Sequence, residues 1–313
     1  MTLQLRITAT TWEAPNIVSY ELRPPEGGGE LPPFTAGAHI DLSLPNGLVR
    51  SYSLVNPQPE RHRYVIAVQK DRASRGGSKW VHENLRAGNI VTVNGPRNNF
   101  ALEESAEKSI FLAGGIGITP ILSMVERLSA IRRDWELVYC SRKRSGTAFL
   151  ESLRNKPQVR FNFDEEPGGK MLDIAAVVQA APATAHFYCC GPLPMLEAFE
   201  AATKDLPRER VHVEYFTAKA PPAIEGGFTI VLAKSGLTLS VLPGKTILDT
   251  LRDHGFDTPF SCTEGVCGTC ETRVLEGIPD HRDLILTEAE RASNKTILIC
   301  CSGSKSEKLV LDL

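Results

Sequence analysis

The chain has no long apolar run. No stretch approaches the roughly 18 uninterrupted apolar residues a helix needs to cross a bilayer, which argues against a membrane-embedded protein. It also lacks a basic excess. Lys and Arg total 35 against 37 Asp and Glu, a formal charge of −2, so no field of one sign marks a nucleic-acid surface. The opening residues MTLQLRITAT lack the positive patch and apolar stretch of a secretion signal. Internal repeats and low-complexity tracts are missing too. The expected compartment is cytoplasmic, where thiols stay reduced. A disulfide framework is therefore a poor account of the eight cysteines, and metal or redox chemistry a better one.

What is present supports a multidomain protein. A hydrophobic share of 42% over 313 residues can fill two or three cores. Residues 1–102 read as short strands broken by Pro and Gly. Arg63–Val68 is β-branched, and Ala38–Leu44 ends at the turn Pro45-Asn46-Gly47. That pattern predicts a small antiparallel barrel or sandwich. Residues 103–222 alternate strand and helix, with strands at 108–113, 135–140 and 186–190 and helices at 121–131 and 194–202. Such alternation implies an α/β domain with a parallel sheet. Pro221-Pro222-Ala223 and Gly226-Gly227 read as a linker to a β-rich domain at 223–313, with a helix near Ile247–Arg252. This last domain carries nine Lys and Arg against thirteen Asp and Glu, and is the acidic part.

Three cysteines fall within nine residues, in Ser261-Cys262-Thr263-Glu264-Gly265-Val266-Cys267-Gly268-Thr269-Cys270. The spacing is Cys-x4-Cys-x2-Cys, followed after 29 residues by Cys300. This is the plant-type [2Fe-2S] pattern. Four thiolates balance the charge of two irons, two to each. Gly265 and Gly268 let the loop backbone approach the sulfurs without a Cβ in the way. Four-cysteine zinc normally shows two short knuckles, and here one short pair stands beside a longer step. Alternation turns only one of Cys300 and Cys301 towards the cluster.

Two glycine loops point to a nucleotide. Gly114-Gly115-Ile116-Gly117-Ile118-Thr119-Pro120 follows a strand and opens a helix, where unpaired N–H groups and the helix dipole suit a phosphate. Cys190-Gly191-Pro192 sits between another strand and the helix from Pro194. Both would lie at carboxyl ends of parallel strands, where such sheets bind ligands. Taken singly, a glycine turn is often only a turn. In the first domain, Arg50 and Tyr52 of Arg50-Ser51-Tyr52-Ser53 share a strand face. An arginine fork suits phosphate and a tyrosine packs on a flat ring. Arg75-Gly76-Gly77-Ser78 precedes a helix expected at Trp80–Leu85 and forms a candidate anion nest. A core tyrosine and a surface turn are the bland alternative.

Together these residues resemble the phthalate dioxygenase reductase family, along essentially the whole chain. The resemblance implies a flavin-binding β-barrel, a nucleotide-binding α/β domain and a C-terminal plant-type ferredoxin β-grasp domain. It implies FMN held by Arg50, Tyr52, Ser53, Gly76, Gly77 and Ser78. It implies that Gly114, Gly115, Gly117, Thr119, Gly191 and Pro192 bind NADH, with Thr119 and Cys190 near the nicotinamide. His212-Val213-Glu214-Tyr215-Phe216 resembles the end of the family's nucleotide domain, making Phe216 a candidate cover for the flavin. The family's tail register puts Cys300 at the ligand position beside Cys262, Cys267 and Cys270. Cys301 falls where the family has valine, and Gly303 departs from its common arginine.

The implied activity is NADH-dependent electron transfer. A hydride carries two electrons and an iron–sulfur cluster takes one at a time, so a flavin must split the pair. The implied acceptor is a Rieske-type oxygenase or O-demethylase acting on an aromatic compound. The resemblance favours NADH, although Ser141-Arg142-Lys143-Arg144 offers cations that could meet a 2′-phosphate. Two alternatives stand beside it. One is the reductase of a diiron oxygenase, for which the ferredoxin motif usually comes first. The other is a non-catalytic iron–sulfur sensor, which has no need of both loops. A chain carrying its full electron path is expected to act as a monomer.

Overall fold

A computed structural model describes residues 2–26, 28–71, 74 and 76–313. Their contacts divide into two compact units, Met1–Glu214 and Tyr215–Leu313.

The first unit opens with strands β1 (Thr2–Ala14), β2 (Ile17–Arg23), β3 (His39–Ser43), β4 (Val49–Ser53), β5 (Tyr64–Gln69) and β6 (Ile90–Arg97), with helix α1 (Gly77–Asn84) between the last two. They form one antiparallel sheet in the order β4-β3-β6-β1-β2-β5. Its two edges meet. Leu54 bridges Ile66, and the Val55 N–H donates to the Val65 carbonyl at 2.9 Å. The sheet therefore curls into a barrel, which removes the exposed edges an open sheet would leave. Leu5, Ile7, Leu22, Ile40, Leu42, Leu54, Tyr64 and Val93 fill it.

The chain then alternates, as its sequence pattern predicts: β7 (Lys108–Gly114), α2 (Ile118–Ala130), β8 (Asp134–Ser141), α3 (Leu150–Leu153), β9 (Val159–Phe163), α4 (Ile174–Gln179), β10 (His186–Cys190), α5 (Leu193–Thr203) and β11 (Val211–Glu214). The five strands run parallel in the order β11-β10-β7-β8-β9. The first strand of the domain, β7, lies in the middle. The loops leaving β7 and β10 are thus neighbours, the geometry that opens a crevice in such sheets. Phe111, Ile121, Met124, Val125, Leu137 and Tyr188 pack the α2 face, and Phe100 and Ala36 from the barrel join them.

The second unit contains β12 (Phe228–Leu232), β13 (Leu237–Val241), α6 (Ile247–Asp253), β14 (Glu271–Glu276), β15 (Pro279–Asp280), α7 (Glu288–Ser293), β16 (Thr296–Leu298), β17 (Gly303–Ser304) and β18 (Lys308–Leu311). A mixed sheet runs β13-β12-β18-β14-β16, with only β12 and β18 parallel. Ile247, Leu248 and Leu251 of α6 are buried in the same cluster as Ile230, Val241, Ile297 and Leu309. A reciprocal capping box between Thr246 and Asp249 starts that helix. Among the described residues, no helix is long and apolar enough to cross a membrane.

Candidate redox site

The cysteine loop has its shape from left-handed backbone. Thr263, Gly265 and Gly268 take φ values of +58°, +71° and +75°. Gly265 could not be another residue, because a Cβ there would lie 2.5 Å from Cys301 Sγ and 3.0 Å from the Asp283 Cα. The winding turns backbone donors inward. The Glu264 N–H points at Cys262 Sγ at 3.3 Å, and the Cys262 N–H at Cys267 Sγ at 3.5 Å. The distant fourth thiol arrives by strand pairing. Cys270 immediately precedes β14 and Cys300 follows β16, and these antiparallel neighbours pair Glu271 with Leu298. The two cysteines therefore stand at the same end of the ladder.

All four thiols are at least nine-tenths buried, and no disulfide joins any of the eight cysteines. Cys262 lies beside the Cys267 and Cys300 thiols, whose donation holds its pKa well below the usual thiol range. Cys300 likewise donates to Cys270 and lowers it. Four sulfurs in a chain of contacts from Cys267 through Cys262 and Cys300 to Cys270, with N–H groups aimed at two of them, fit the donor set of a [2Fe-2S] centre. Among the described residues, no three His, Cys, Asp or Glu side chains group around a single metal ion. A binuclear cluster asks only two protein thiolates of each iron. Cys301 Sγ rests against Gly265 and reaches the Leu298 carbonyl at 3.7 Å.

In the barrel, β4 puts Arg50 and Tyr52 on one face. Ser51 turns to the other, where its hydroxyl donates to Asp41 at 2.7 Å and Asp41 also takes Arg97. Arg50 lies over the start of α1. A Cβ on Gly77 would come within 2.6 Å of Arg50 Nε, so only glycine lets the guanidinium and the helix N-terminus approach this closely. Gly76 caps α1 in a left-handed conformation with φ of +93°, and no side chain closes the helix end. Ser78 accepts from the Asp71 N–H at 3.2 Å and donates to Ser74 at 3.1 Å. Ser53 is buried. Burial raises the Tyr52 hydroxyl pKa, and the Arg50 charge partly offsets it. Two stretches more than twenty residues apart thus form one cationic cradle. Arg75 lies outside the described residues.

The two nucleotide-loop motifs also meet. Gly117 packs so closely on the Cys190 carbonyl that a Cβ would lie 2.2 Å from its oxygen. Gly114 faces Pro192 Cδ and Gly191 in the same way, at 2.6 and 3.2 Å. Gly115 has φ of +54° and its carbonyl accepts from Tyr139 Oη at 3.1 Å. Thr119 is buried in the first turn of α2, where its hydroxyl donates to the Ile116 carbonyl at 3.0 Å. The Cys190 thiol is fully buried in the apolar cluster on the α2 face, and burial pushes its pKa up. Both residues shape the loops from beneath. Phe216 belongs to the second unit and is 37% exposed.

One residue was not singled out from sequence. Glu214 ends β11 in register with Cys190. The residue as a whole is partly exposed, yet its Oε2 is buried without a hydrogen-bond partner. Burial raises its carboxyl pKa from 4.5 to about 8. The available signal was a carboxylate closing the strand Val211-His212-Val213.

A barrel, a parallel sheet with paired glycine loops and a ferredoxin-like sheet bearing four converging thiols define a modular electron-transfer oxidoreductase. Residues 230–304 match the 2Fe-2S iron-sulfur cluster binding domain. The chain is 54% identical over 312 residues to phenoxybenzoate dioxygenase subunit beta of Ectopseudomonas oleovorans, covering 99% of this chain and 97% of that one. It is also 54% identical to tetrachlorobenzoquinone reductase of Sphingobium chlorophenolicum, covering 100% and 98%. The solved structure of phthalate dioxygenase reductase, a modular structure for electron transfer from pyridine nucleotides to [2Fe-2S], superposes with a TM-score of 0.78 at 39% identity, covering 100% and 98%. The chain belongs to the phthalate dioxygenase reductase family.

Proposed function

We propose that the chain is the NADH-oxidising reductase component of a Rieske-type aromatic oxygenase or O-demethylase. Three working domains, 1–102, 103–222 and 223–313, divide the task. The observation that carries this reading is convergence. Three pairs of motifs distant in sequence meet in space, at Arg50 with Gly77, at Gly117 with Cys190, and at Cys270 with Cys300.

When bound, FMN supplies the step from a hydride to single electrons, and the [2Fe-2S] centre passes those electrons on. The chain's own residues do the positioning. Arg50 and the N–H groups at Gly76, Gly77 and Ser78 hold the flavin phosphate, and Tyr52 and Ser53 seat its ring. Gly114, Gly115 and Gly117 bring bare backbone to the dinucleotide, and Gly191 and Pro192 close the opposite wall. Thr119 and Cys190 fix the shape of those walls under the nicotinamide. No strong acid or base is needed, because hydride transfer depends on alignment. Cys262, Cys267, Cys270 and Cys300 hold the irons. The acidic domain meets a basic patch on the oxygenase. The protein acts as a monomer in the cytoplasm.

Anaerobic titration with NADH, followed by absorbance, tests the reading. Flavin and iron–sulfur bands should bleach together, consuming about 1.5 NADH per protein, which is three electrons. A protein that NADH leaves oxidised would sink it. The tetrachlorobenzoquinone reductase relative favours a second reading, in which a quinone is the acceptor. NADH-driven reduction of a halogenated quinone with no partner protein present would select it.

A further inference from the structure

Behind the cysteine loop lies a charged set, with Asp283 buried, the His281 side chain nearly so and Arg291 about a third exposed, that the electron path described so far does not use. His281, Asp283 and Arg291 meet there. Asp283 Oδ2 accepts from the N–H groups of Ile285 at 3.2 Å and Leu286 at 2.8 Å. Arg291, on α7, donates to the Asp283 carbonyl at 2.6 Å and stands 3.6 Å from Oδ2. His281 Nδ1 stands 3.6 Å from Asp283 Oδ1. Both His281 ring nitrogens, Asp283 Oδ1 and Arg291 Nε are buried without hydrogen bonds of normal geometry. Buried polar atoms are rarely left so, and a set like this asks for a purpose.

Its location suggests one. The Leu284 N–H donates to the Gly265 carbonyl at 2.9 Å, between Cys262 and Cys267. The Asp283 Cα is the atom that a Cβ on Gly265 would strike. On the other side, Asp280 pairs with Gly303, and the Arg282 N–H donates to Ser302 Oγ at 3.1 Å, two residues past Cys300. The segment carrying His281 therefore joins the two ligand-bearing stretches. Its backbone runs about one strand spacing, about 4.8 Å, from the tail that follows Cys300.

We propose that His281 takes up a proton when the iron–sulfur centre is reduced. The proposal rests on the four cysteines being the cluster ligands. One electron, delivered from the pyridine nucleotide through the flavin, reduces one ferric iron to ferrous. A hydronium ion supplies the proton: its O–H bond breaks as an N–H bond forms on the imidazole, and water is left behind. The centre gains one negative charge, and an imidazolium close behind the loop offsets it in a poorly screened interior. Three elements face the ring. The Asp283 carboxylate and a hydrogen bond to the Arg291 backbone favour the imidazolium, while the Arg291 guanidinium on α7 and Lys305 before β18 oppose it. Burial opposes it most and holds the imidazole below the usual histidine range. The added electron tips this balance.

Redox titration of the holoenzyme, read by EPR of the reduced cluster, separates cluster from flavin. It is run at several values between about pH 5.5 and 8.5, the range in which histidine titrates. The wild-type cluster potential should fall as pH rises, and His281→Gln should flatten that slope with the cluster spectrum intact. A flat wild-type potential overturns the proposal, and so does an undiminished slope in His281→Gln. If the wild type gives no reduced-cluster signal at all, the ligand reading fails and this proposal with it. If His281→Gln does not load a cluster, Arg291→Gln carries the test. Removing that opposing charge should move the sloping region to higher pH, and an unmoved region overturns the proposal.

Discussion

Gly77 shows how one missing carbon governs a binding loop. A methyl there would push on Arg50 Nε from 2.6 Å. Arg50 is flexible, so the fold should survive Gly77→Ala while the cradle opens. A hydrogen bond to a charged group contributes about 1.5–3 kcal/mol. Flavin affinity should therefore fall about ten- to hundredfold with little change in Tm, as measured by fluorescence of released flavin. At the cysteine pair, Cys300→Ser should abolish or bleach the cluster, whereas Cys301→Ser should keep its visible spectrum. Equal loss in both variants would reject the assignment. Glu214 gives a pH prediction. Its folded pKa, about 8, is above its unfolded value, so the neutral carboxyl contributes stability at low pH. That contribution, on the order of a few kcal/mol before allowance for its partial exposure, is lost as pH rises from about 4.5 to about 8. Glu214→Gln should flatten the thermal stability profile across that window, and an unchanged profile would count against the buried carboxyl.

The elements themselves were largely legible. Hydrophobic patterning located β7, α2, β8, β10 and α5, because buried parallel strands read as continuous apolar runs. It did not locate α3, β9 or α4, and the strand among them, Val159–Phe163, alternates with polar residues. Boundaries were less so. Helix α1 begins at Gly77 rather than Trp80, since left-handed Gly76 can start a turn that composition does not announce. Helix α2 begins at Ile118 rather than at Ile121, so Thr119 joins Pro120 in its first turn. Ligand spacing was plain from the cysteines alone. What sequence could not supply was contact between motifs. Nothing in Gly117 predicts a Cys190 carbonyl against its α-carbon, and nothing in Glu214 predicts burial, because both depend on strand order. Gly117→Ala tests that contact. Its Cβ would meet rigid backbone at 2.2 Å, with no flexible tip to yield. Overpacking of this kind costs about 1–3 kcal/mol. NADH oxidation should drop sharply and Tm fall, with the cluster spectrum unaffected.

Over the whole molecule, charge is divided unevenly. The stretch from residue 223 holds nine basic and thirteen acidic residues, and a bound cluster adds about two further negative charges. Electron transfer to the oxygenase should slow as ionic strength rises, because screening shortens the reach of that field. Stopped-flow reoxidation by the partner at low and moderate salt measures it, and an insensitive rate would argue against electrostatic docking.

The pairing of β14 with β16 has a consequence for maturation. Cys300 and Cys301 are adjacent in the turn that follows β16, where the Cys301 and Ser302 N–H groups both donate to the Leu298 carbonyl, so strand alternation does not separate them as the sequence suggested. A slip of one residue in that ladder would shift this turn and carry Cys300 away from Cys270. The strand register is thus what places the fourth ligand. A nascent chain that zips out of step presents three correct thiols and one out of place. Iron–sulfur insertion then acts as an inspection of the fold, completed only on chains whose ladder has closed in step.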